Sequence, residues 1–132
     1  MKIAIAQLNS TDDIAANLQT ISKLVAEAVE QTVKPKLIVF PENSLYFRVN
    51  PTDLPKTVDE LAVWSQLQCQ AKDLNINIHL TTALADTDGK IYNGSVLIRA
   101  DGTLKIVYRK VHLFDIALTG QKAPKFPHLQ QG

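Results

Sequence analysis

Cysteine is nearly absent from this sequence, since Cys69 is the only one among 132 residues. One cysteine cannot form a disulfide within the chain, which favours a reducing compartment. The amino-terminal stretch MKIAIAQLNSTDD lacks the long apolar core and the small-residue cleavage site of a signal peptide. No apolar run reaches the length of a membrane-spanning helix. We therefore expect a cytoplasmic protein without membrane association.

An excess of charge of one sign is also missing, because 14 Lys and Arg residues face 13 Asp and Glu residues. This balance gives no general attraction to nucleic acid, and the locally basic last thirty residues are more typical of a solvated surface. With 45% hydrophobic and 20% charged residues, the composition is that of one globular domain over residues 1–132.

Several kinds of site are excluded by motifs that the sequence does not contain. There is no glycine-rich phosphate loop and no dinucleotide fingerprint, so we expect no cofactor. The histidines, His79, His112 and His128, lack metal-ligand spacing, and no second cysteine joins them, so we expect no metal. The stretch YNGSV lacks the second glycine of a serine nucleophile elbow.

Apolar periodicity predicts an α/β fold that begins with alternating strands and helices. KIAIAQLN is typical of a strand, and KLIVF is apolar throughout, as in a strand covered on both faces. Between them lies an amphipathic helix with one apolar stripe, formed by Ile14, Leu18, Ile21, Val25 and Ala28. Three candidate N-caps precede it, namely Thr11, Asp12 and Asp13. A strand, a helix and a second strand favour a parallel pair with a right-handed crossover.

The rest of the chain predicts a second helix and then antiparallel strands. Thr57–Glu60 matches a capping box, and the predicted inner face of its helix is Leu61, Trp64, Gln68, Ala71 and Leu74. INIHLTTALAD returns to strand character, and two Asp-Gly pairs, at 88–89 and 101–102, predict hairpin turns. The predicted order is therefore βαβαβ followed by antiparallel strands, with a tail without periodicity over 116–132.

Glu42 and Lys110 are the candidate catalytic residues. Glu42 follows the apolar run LIVF and Pro41, at the carboxyl end of a predicted parallel strand, where ligands of α/β sheets bind. Lys110 follows the run IVYR, and strand alternation sends Arg109 and Lys110 to opposite faces. A lysine that faces inward needs a carboxylate partner, and Glu42 could supply it. The alternatives are a surface glutamate in a turn and a solvated lysine.

Cys69 does not complete this site as a nucleophile. It lies in the middle of a predicted helix, without the helix N-terminus or basic neighbour that lowers a thiol pKa. A structural thiol fits it better. His112, two residues after Lys110, and Arg109 are predicted to support the site.

The stretches VFPENSLYFR and YRKVHLFD resemble the glutamate and lysine motifs of the nitrilase, or carbon–nitrogen hydrolase, superfamily. AIAQLNSTDDIAANL and DGKIYNGSVLIRADGTLKIVYRK are similar to this family as well, so that the resemblance covers residues 1–115 and leaves 116–132 divergent. Within the family, the sequence is most similar to small-amide hydrolases such as deaminated glutathione amidase and ω-amidase.

The resemblance implies an αββα sandwich, of which this chain would be the amino-terminal half, and a possible homodimer. It also implies a Cys–Glu–Lys triad in which Glu42 is the general base and Lys110 stabilises the oxyanion. The family's nucleophilic cysteine comes after the lysine motif, and no cysteine follows Cys69 here. The family often adds a glutamate there too, yet no acidic residue follows Asp115, and Phe126 and Pro127 stand near that place.

Three hypotheses follow from this resemblance. The chain is a truncated amide hydrolase that needs a second half for activity on a small amide substrate. Alternatively, Glu42, Lys110 and Arg109 form a pocket that binds small carboxylates or amides without turnover. In the third, the chain is a fragment that folds poorly because a sheet face and a sheet edge stay uncovered.

Overall fold

The structure, a computed structural model, describes residues 1–50, 52–54 and 56–112. The predicted tail over 116–132, with Phe126 and Pro127, lies outside the described residues. The described part contains five strands and two helices, in the order β1 (Ile3–Ile5), α1 (Ile14–Val29), β2 (Leu37–Val39), α2 (Leu61–Asp73), β3 (Asn77–Ala85), β4 (Ile91–Ile98) and β5 (Leu104–Arg109).

The five strands form one sheet in the order of the sequence, β1-β2-β3-β4-β5. The pairs β1–β2 and β2–β3 are parallel, and the pairs β3–β4 and β4–β5 are antiparallel. The predicted α/β order, βαβαβ followed by antiparallel strands, is therefore confirmed. Each Asp-Gly pair lies in a hairpin loop, and Gly89 and Gly102 take the positive φ angles, 77° and 84°, that favour glycine there.

The hydrophobic core lies between the two helices and one face of the sheet. Alternate residues of the central strands point into it and are fully buried, among them Ile78 and Leu80 of β3 and Ile98 of β4. Leu67 of α2 is likewise fully buried. Gln70 of α2 donates from its side chain to the backbone oxygen of Ser22 in α1, 2.7 Å away, so the helices pack side by side.

The opposite face of the sheet has no helix over it in the part of the chain that the structure describes. Ile5 is 82% exposed, and Leu37 and Val39 are only half-buried. The expectation that KLIVF is covered on both faces is therefore wrong for the described residues, because Ile38 is the only buried residue of β2. This half-open side, called the open face below, carries the candidate site.

The first helix begins as predicted, and the second does not. Asp13 caps α1, because its side chain accepts a hydrogen bond from the backbone of Ala16. No side chain caps α2, whose N-cap is Glu60, since Thr57 bonds the Asp59 carboxylate instead. The predicted capping box is therefore wrong.

The buried face of α2 is also rotated from its predicted position. Its buried residues are Val63, Leu67 and Ala71, of which only Ala71 was predicted. Trp64 and Leu74 pack partly buried against the core, whereas Leu61, predicted to face inward, is 78% exposed. Neither helix in the described part of the chain combines the length and the apolar content that a membrane crossing requires.

Candidate active site

A tight turn directs Glu42 across the carboxyl end of the sheet. Phe40 continues the backbone pairing of β2, because its N–H donates to the oxygen of His79 at 2.9 Å. Pro41 has no N–H and ends the pairing. Asn43 then takes a positive φ of 60°, which asparagine tolerates better than most residues, and the chain returns so that the N–H of Ser44 reaches the oxygen of Thr81 at 3.2 Å. Glu42 is thereby held between two points that are both tied to β3.

Asn17 anchors the far end of this turn to α1. It is buried, with 3% of its surface exposed. Its amide group donates to the backbone oxygens of Leu45 at 2.9 Å and Thr11 at 2.7 Å, and its oxygen accepts from the N–H of Thr11 at 3.0 Å. The helix stripe did not single out Asn17, because one polar residue beside an apolar stripe is an ordinary boundary residue.

Replacing Asn17 with alanine is expected to lower the free energy of unfolding by about 1–3 kcal/mol, because it leaves buried backbone groups without partners. Urea unfolding monitored by circular dichroism measures this loss. Asn77→Ala is the matched control, since the half-buried Asn77 side chain also bonds two backbone groups, donating to the oxygen of Lys36 and accepting from the N–H of Ala100. A loss no larger in Asn17→Ala than in Asn77→Ala would contradict the anchoring role.

A β-bulge in β5 places Lys110 on the open face. Ile106 pairs with Val96 and Tyr108 pairs with Ser95, so Val107 is an extra residue between the two pairs. Directly opposed residues share a face of the sheet, and Ser95 belongs to the open face. Tyr108 and, two residues later, Lys110 therefore point to the side where Glu42 lies. The N–H of Lys110 donates to the backbone oxygen of Asn93 at 2.8 Å, which continues the pairing.

Glu42 and Lys110 form an ion pair at this edge of the open face. The Nζ atom of Lys110 lies 2.8 Å from Oε1 of Glu42. The same oxygen accepts a hydrogen bond from the side-chain amide of Asn93. The lysine side chain is 29% exposed and the glutamate side chain 47% exposed, so the pair is within reach of a ligand. The structure brings together the two residues that the sequence predicted to meet.

A cavity of about 330 Å³ lies beside this pair. It is lined by side chains of the open face and the two candidate residues, namely Glu42, Thr81, Asn93, Ser95, Tyr108, Lys110 and His112. The hydroxyl groups of Thr81 and Ser95 lie 3.1 Å apart across β3 and β4 and share a hydrogen bond. His112, predicted to support the site, thus borders the same cavity as Lys110. The volume is that of a site for a small molecule.

Arg109 does not join this site. It lies on the helix side of the sheet, where its guanidinium forms an ion pair with Asp86 and stacks 4.1 Å from the centre of the Tyr92 ring. The hydrogen bond from Arg109 lowers the pKa of Asp86, and burial raises the pKa of Tyr92. The prediction that Arg109 supports the pocket is therefore wrong. Neighbouring residues of a strand point to opposite faces, so Arg109 and Lys110 cannot both face the cavity. Arg109 instead ties the end of β5 to the β3–β4 hairpin.

Cys69 is also remote from the pair. It is an exposed residue of α2, and the sheet separates that helix from the open face. Its thiol cannot reach a carbonyl group held between Glu42 and Lys110. Within residues 1–50, 52–54 and 56–112, no group of three or more His, Cys, Asp or Glu side chains could share a metal ion.

Four cavity residues were not predicted from the sequence, namely Thr81, Asn93, Ser95 and Tyr108. A usable signal was present, because Asn93 and Ser95 are two apart in the strand YNGSV and must share one face of it. Polar residues on a strand face are common at surfaces, however, and only the pairing of β4 with β5 shows that this face meets Lys110.

Comparison with known proteins identifies relatives of this chain. A family model described as carbon–nitrogen hydrolase matches residues 2–129. An omega-amidase of Saccharomyces cerevisiae is 35% identical over 128 residues, which cover 88% of this chain and 43% of that protein. A citrullinase of Francisella tularensis is 32% identical over 125 residues, covering 87% of this chain and 41% of that protein. The chain thus spans about two fifths of the length of these curated relatives.

Solved structures share the fold. The NitFhit protein of C. elegans aligns with a TM-score of 0.77 at 20% identity, over 98% of this chain and 32% of that chain. An amidase from Nesterenkonia sp. aligns with a TM-score of 0.70 at 24% identity, over 86% of this chain and 44% of that chain. These identities establish similarity of fold alone.

Proposed function

This chain belongs to the carbon–nitrogen hydrolase family, and we propose that its Glu42–Lys110 pair serves the hydrolysis of small amides through a cysteine thioester. The observation that carries the proposal is the 2.8 Å contact between Lys110 Nζ and Glu42 Oε1 beside a small cavity. A carboxylate and an ammonium group at one edge of a cavity can supply the base and the oxyanion partner of an acyl transfer. The omega-amidases among the relatives support a small amide as the substrate class.

The proposed reaction has two halves. In the first, Glu42 takes the proton of a cysteine thiol, the sulfur attacks the amide carbon, and Lys110 stabilises the negative oxygen of the tetrahedral intermediate. The carbon–nitrogen bond then breaks, Glu42 returns the proton to the nitrogen, and ammonia leaves a thioester behind. In the second half, Glu42 takes a proton from water and the hydroxide attacks the thioester carbon. The carbon–sulfur bond then breaks, Glu42 returns the proton to the sulfur, and the acid is released from the free thiol.

The thiol in this proposal comes from outside the 132 residues. Cys69 lies across the sheet from the pair, and the chain covers only 43% of the yeast omega-amidase. We therefore propose that the 132-residue chain by itself does not release ammonia from amides. A second polypeptide segment would have to bring a thiol to the open face.

The test compares the isolated chain with a fusion. The fusion joins this chain to the part of the yeast omega-amidase that follows its matched segment. With a small ω-amide as substrate, we expect ammonia release from the fusion and none above the blank from the isolated chain. The fusion that carries Cys69→Ser should be as active as the parent fusion. Ammonia release by the isolated chain that disappears in Cys69→Ser would overturn the proposal.

A binding function without turnover is the second candidate, favoured because the described residues include the paired charges and place their one thiol elsewhere. It predicts that both the chain and a well-folded fusion bind butyramide or butyrate saturably, as measured by calorimetry, and that neither releases ammonia. A folded, inactive fusion would thus favour binding over hydrolysis.

A further inference from the structure

We propose that Asn93 is a positioning residue that fixes the Glu42 carboxylate and decides which of its two oxygens is available as the base. The base role itself rests on the proposed function, whereas the positioning is a property of this chain alone. The sequence did not predict a role for Asn93. Its hydrogen bonds reach both Glu42 and Lys110.

Asn93 contacts both members of the pair. Its side-chain Nδ2 donates a hydrogen bond to Oε1 of Glu42, 51 residues earlier in the chain. Its backbone oxygen accepts the N–H of Lys110 at 2.8 Å, which fixes the point where the lysine side chain leaves β5. One residue of β4 therefore sets the position of the carboxylate through its side chain and the position of the ammonium group through its backbone.

The orientation of the Asn93 amide is determined by Glu42. In the opposite orientation, the Asn93 oxygen would face the carboxylate oxygen, and the two acceptors would repel each other. In the observed orientation, Oδ1 of Asn93 is buried and finds no hydrogen-bond partner among the described residues. A buried unpaired oxygen is unfavourable for stability. Asn93 thus donates a hydrogen bond to Glu42 while its own buried oxygen stays unpaired. Unpaired buried polar atoms of this kind are typical of functional sites.

The consequence is an asymmetric carboxylate. Both the Asn93 amide and the Lys110 ammonium group donate to Oε1, whereas Oε2 accepts no bond from the part of the chain that the structure describes. A carboxylate oxygen that already accepts two hydrogen bonds has less lone-pair density left to accept a proton from a further donor. Oε2 is therefore the oxygen left to take a proton from a thiol or a water molecule, and the two donors on Oε1 favour this orientation of the carboxylate.

The experiment uses the full 132-residue chain labelled with ¹⁵N and ¹³C. In the parent, we expect a scalar coupling across the hydrogen bond between Asn93 Nδ2 and the Glu42 carboxyl carbon, and a slowly exchanging NMR signal of the Lys110 ammonium group. Asn93→Asp keeps the size and shape of the side chain but replaces the donor with an acceptor. In this variant the lysine signal should broaden or move to the position of exposed lysines, and the Glu42 carboxyl signal should report a mobile side chain.

Ser95→Ala is the matched control, because Ser95 lies two residues further along the same face of β4 and lines the same cavity. It should leave the Glu42 and Lys110 signals unchanged. Asn93→Ala, which removes the donor without adding a charge, should reproduce the effect of Asn93→Asp. Urea unfolding of each variant establishes that the fold is retained.

Parent-like Glu42 and Lys110 signals in folded Asn93→Ala and Asn93→Asp chains would overturn the positioning role. The readout involves no turnover, so this result is independent of whether the fusion hydrolyses amides. An inactive fusion with altered Glu42 and Lys110 signals in the Asn93 variants would contradict the proposed function and retain the positioning role.

Discussion

Glu42→Gln in the active fusion is expected to lower kcat by about 10²–10⁴, the range that a positioned general base contributes. Glutamine keeps the shape of the side chain and can still accept from Lys110 and Asn93, but it cannot take the proton of a thiol. Lys110→Met should lower kcat by about 10²–10³, since it removes the donor to the oxyanion and keeps an unbranched chain. Initial rates of ammonia release over a range of amide concentrations give kcat and KM for each variant.

These losses should occur without loss of stability. The side chains of the pair are 29% and 47% exposed, and exposed ion pairs contribute about 0–1 kcal/mol to the free energy of unfolding. Lys105→Met is the control, because Lys105 is an exposed lysine of β5, the strand that leads to Lys110, and does not line the cavity. Its kcat should equal that of the parent.

A folded Glu42→Gln fusion with parental kcat would show that Glu42 is not the base. A fall in the Lys105→Met variant as large as in Lys110→Met would point instead to the overall charge of β5. If KM rose and kcat stayed constant in both site variants, the pair would bind the substrate equally before and during the reaction, and it would not be catalytic.

The topology of the sheet was predictable because it is encoded locally. An apolar stripe at helical spacing, a short apolar strand and two Asp-Gly turns each specify one element, and the right-handed crossover of a strand–helix–strand unit leaves few ways to join them. The position of Glu42 follows from the same logic, because the residue after a parallel strand lies at the carboxyl edge of the sheet wherever the rest of the chain goes.

The face of α2 was not predictable from periodicity, because two stripes compete on that helix. The buried stripe is Val63, Leu67 and Ala71, and the predicted one included Leu61 and Trp64. The indole N–H of Trp64 donates to the backbone oxygen of Val58 at 2.9 Å, which holds the ring at the edge of the core. The partner that decides this rotation lies outside the helix, so no pattern within the helix reveals it.

The face of Lys110 depends on a bulge that the sequence does not announce. Strict alternation from Leu104, which packs against the core, would send Ile106, Tyr108 and Lys110 to the helix side. The extra residue Val107 reverses the alternation, so that Tyr108 and Lys110 reach the open face. Lys110 therefore reaches Glu42 only because β5 contains this bulge. The bulge is visible in the pairing of β5 with β4 and not in the residues of the lysine motif.

The two faces of the sheet should differ sharply in what they contribute to stability. Ile78→Ala is expected to lower the free energy of unfolding by about 2–5 kcal/mol, because Ile78 is fully buried between β3 and the helices. Ile5→Ala makes the same change on the open face, where Ile5 is 82% exposed, and should cost less than about 0.5 kcal/mol. Urea unfolding of the 132-residue chain at a low and at a high protein concentration measures both values.

The comparison also tests whether the open face is covered in solution. If Ile5→Ala costs as much as Ile78→Ala, and the cost grows with protein concentration, a second copy of the chain packs on that face, as in the homodimer that the family resemblance implies. A large cost that is independent of concentration would mean that another part of the same chain covers Ile5. A small cost of Ile5→Ala would mean that the packing on the helix side supplies the stability of the fold. Glu42 and Lys110 would then stay accessible on a face that the fold does not need to bury. A segment that brings a thiol to the pair could then bind without disturbing the core that holds the pair in place.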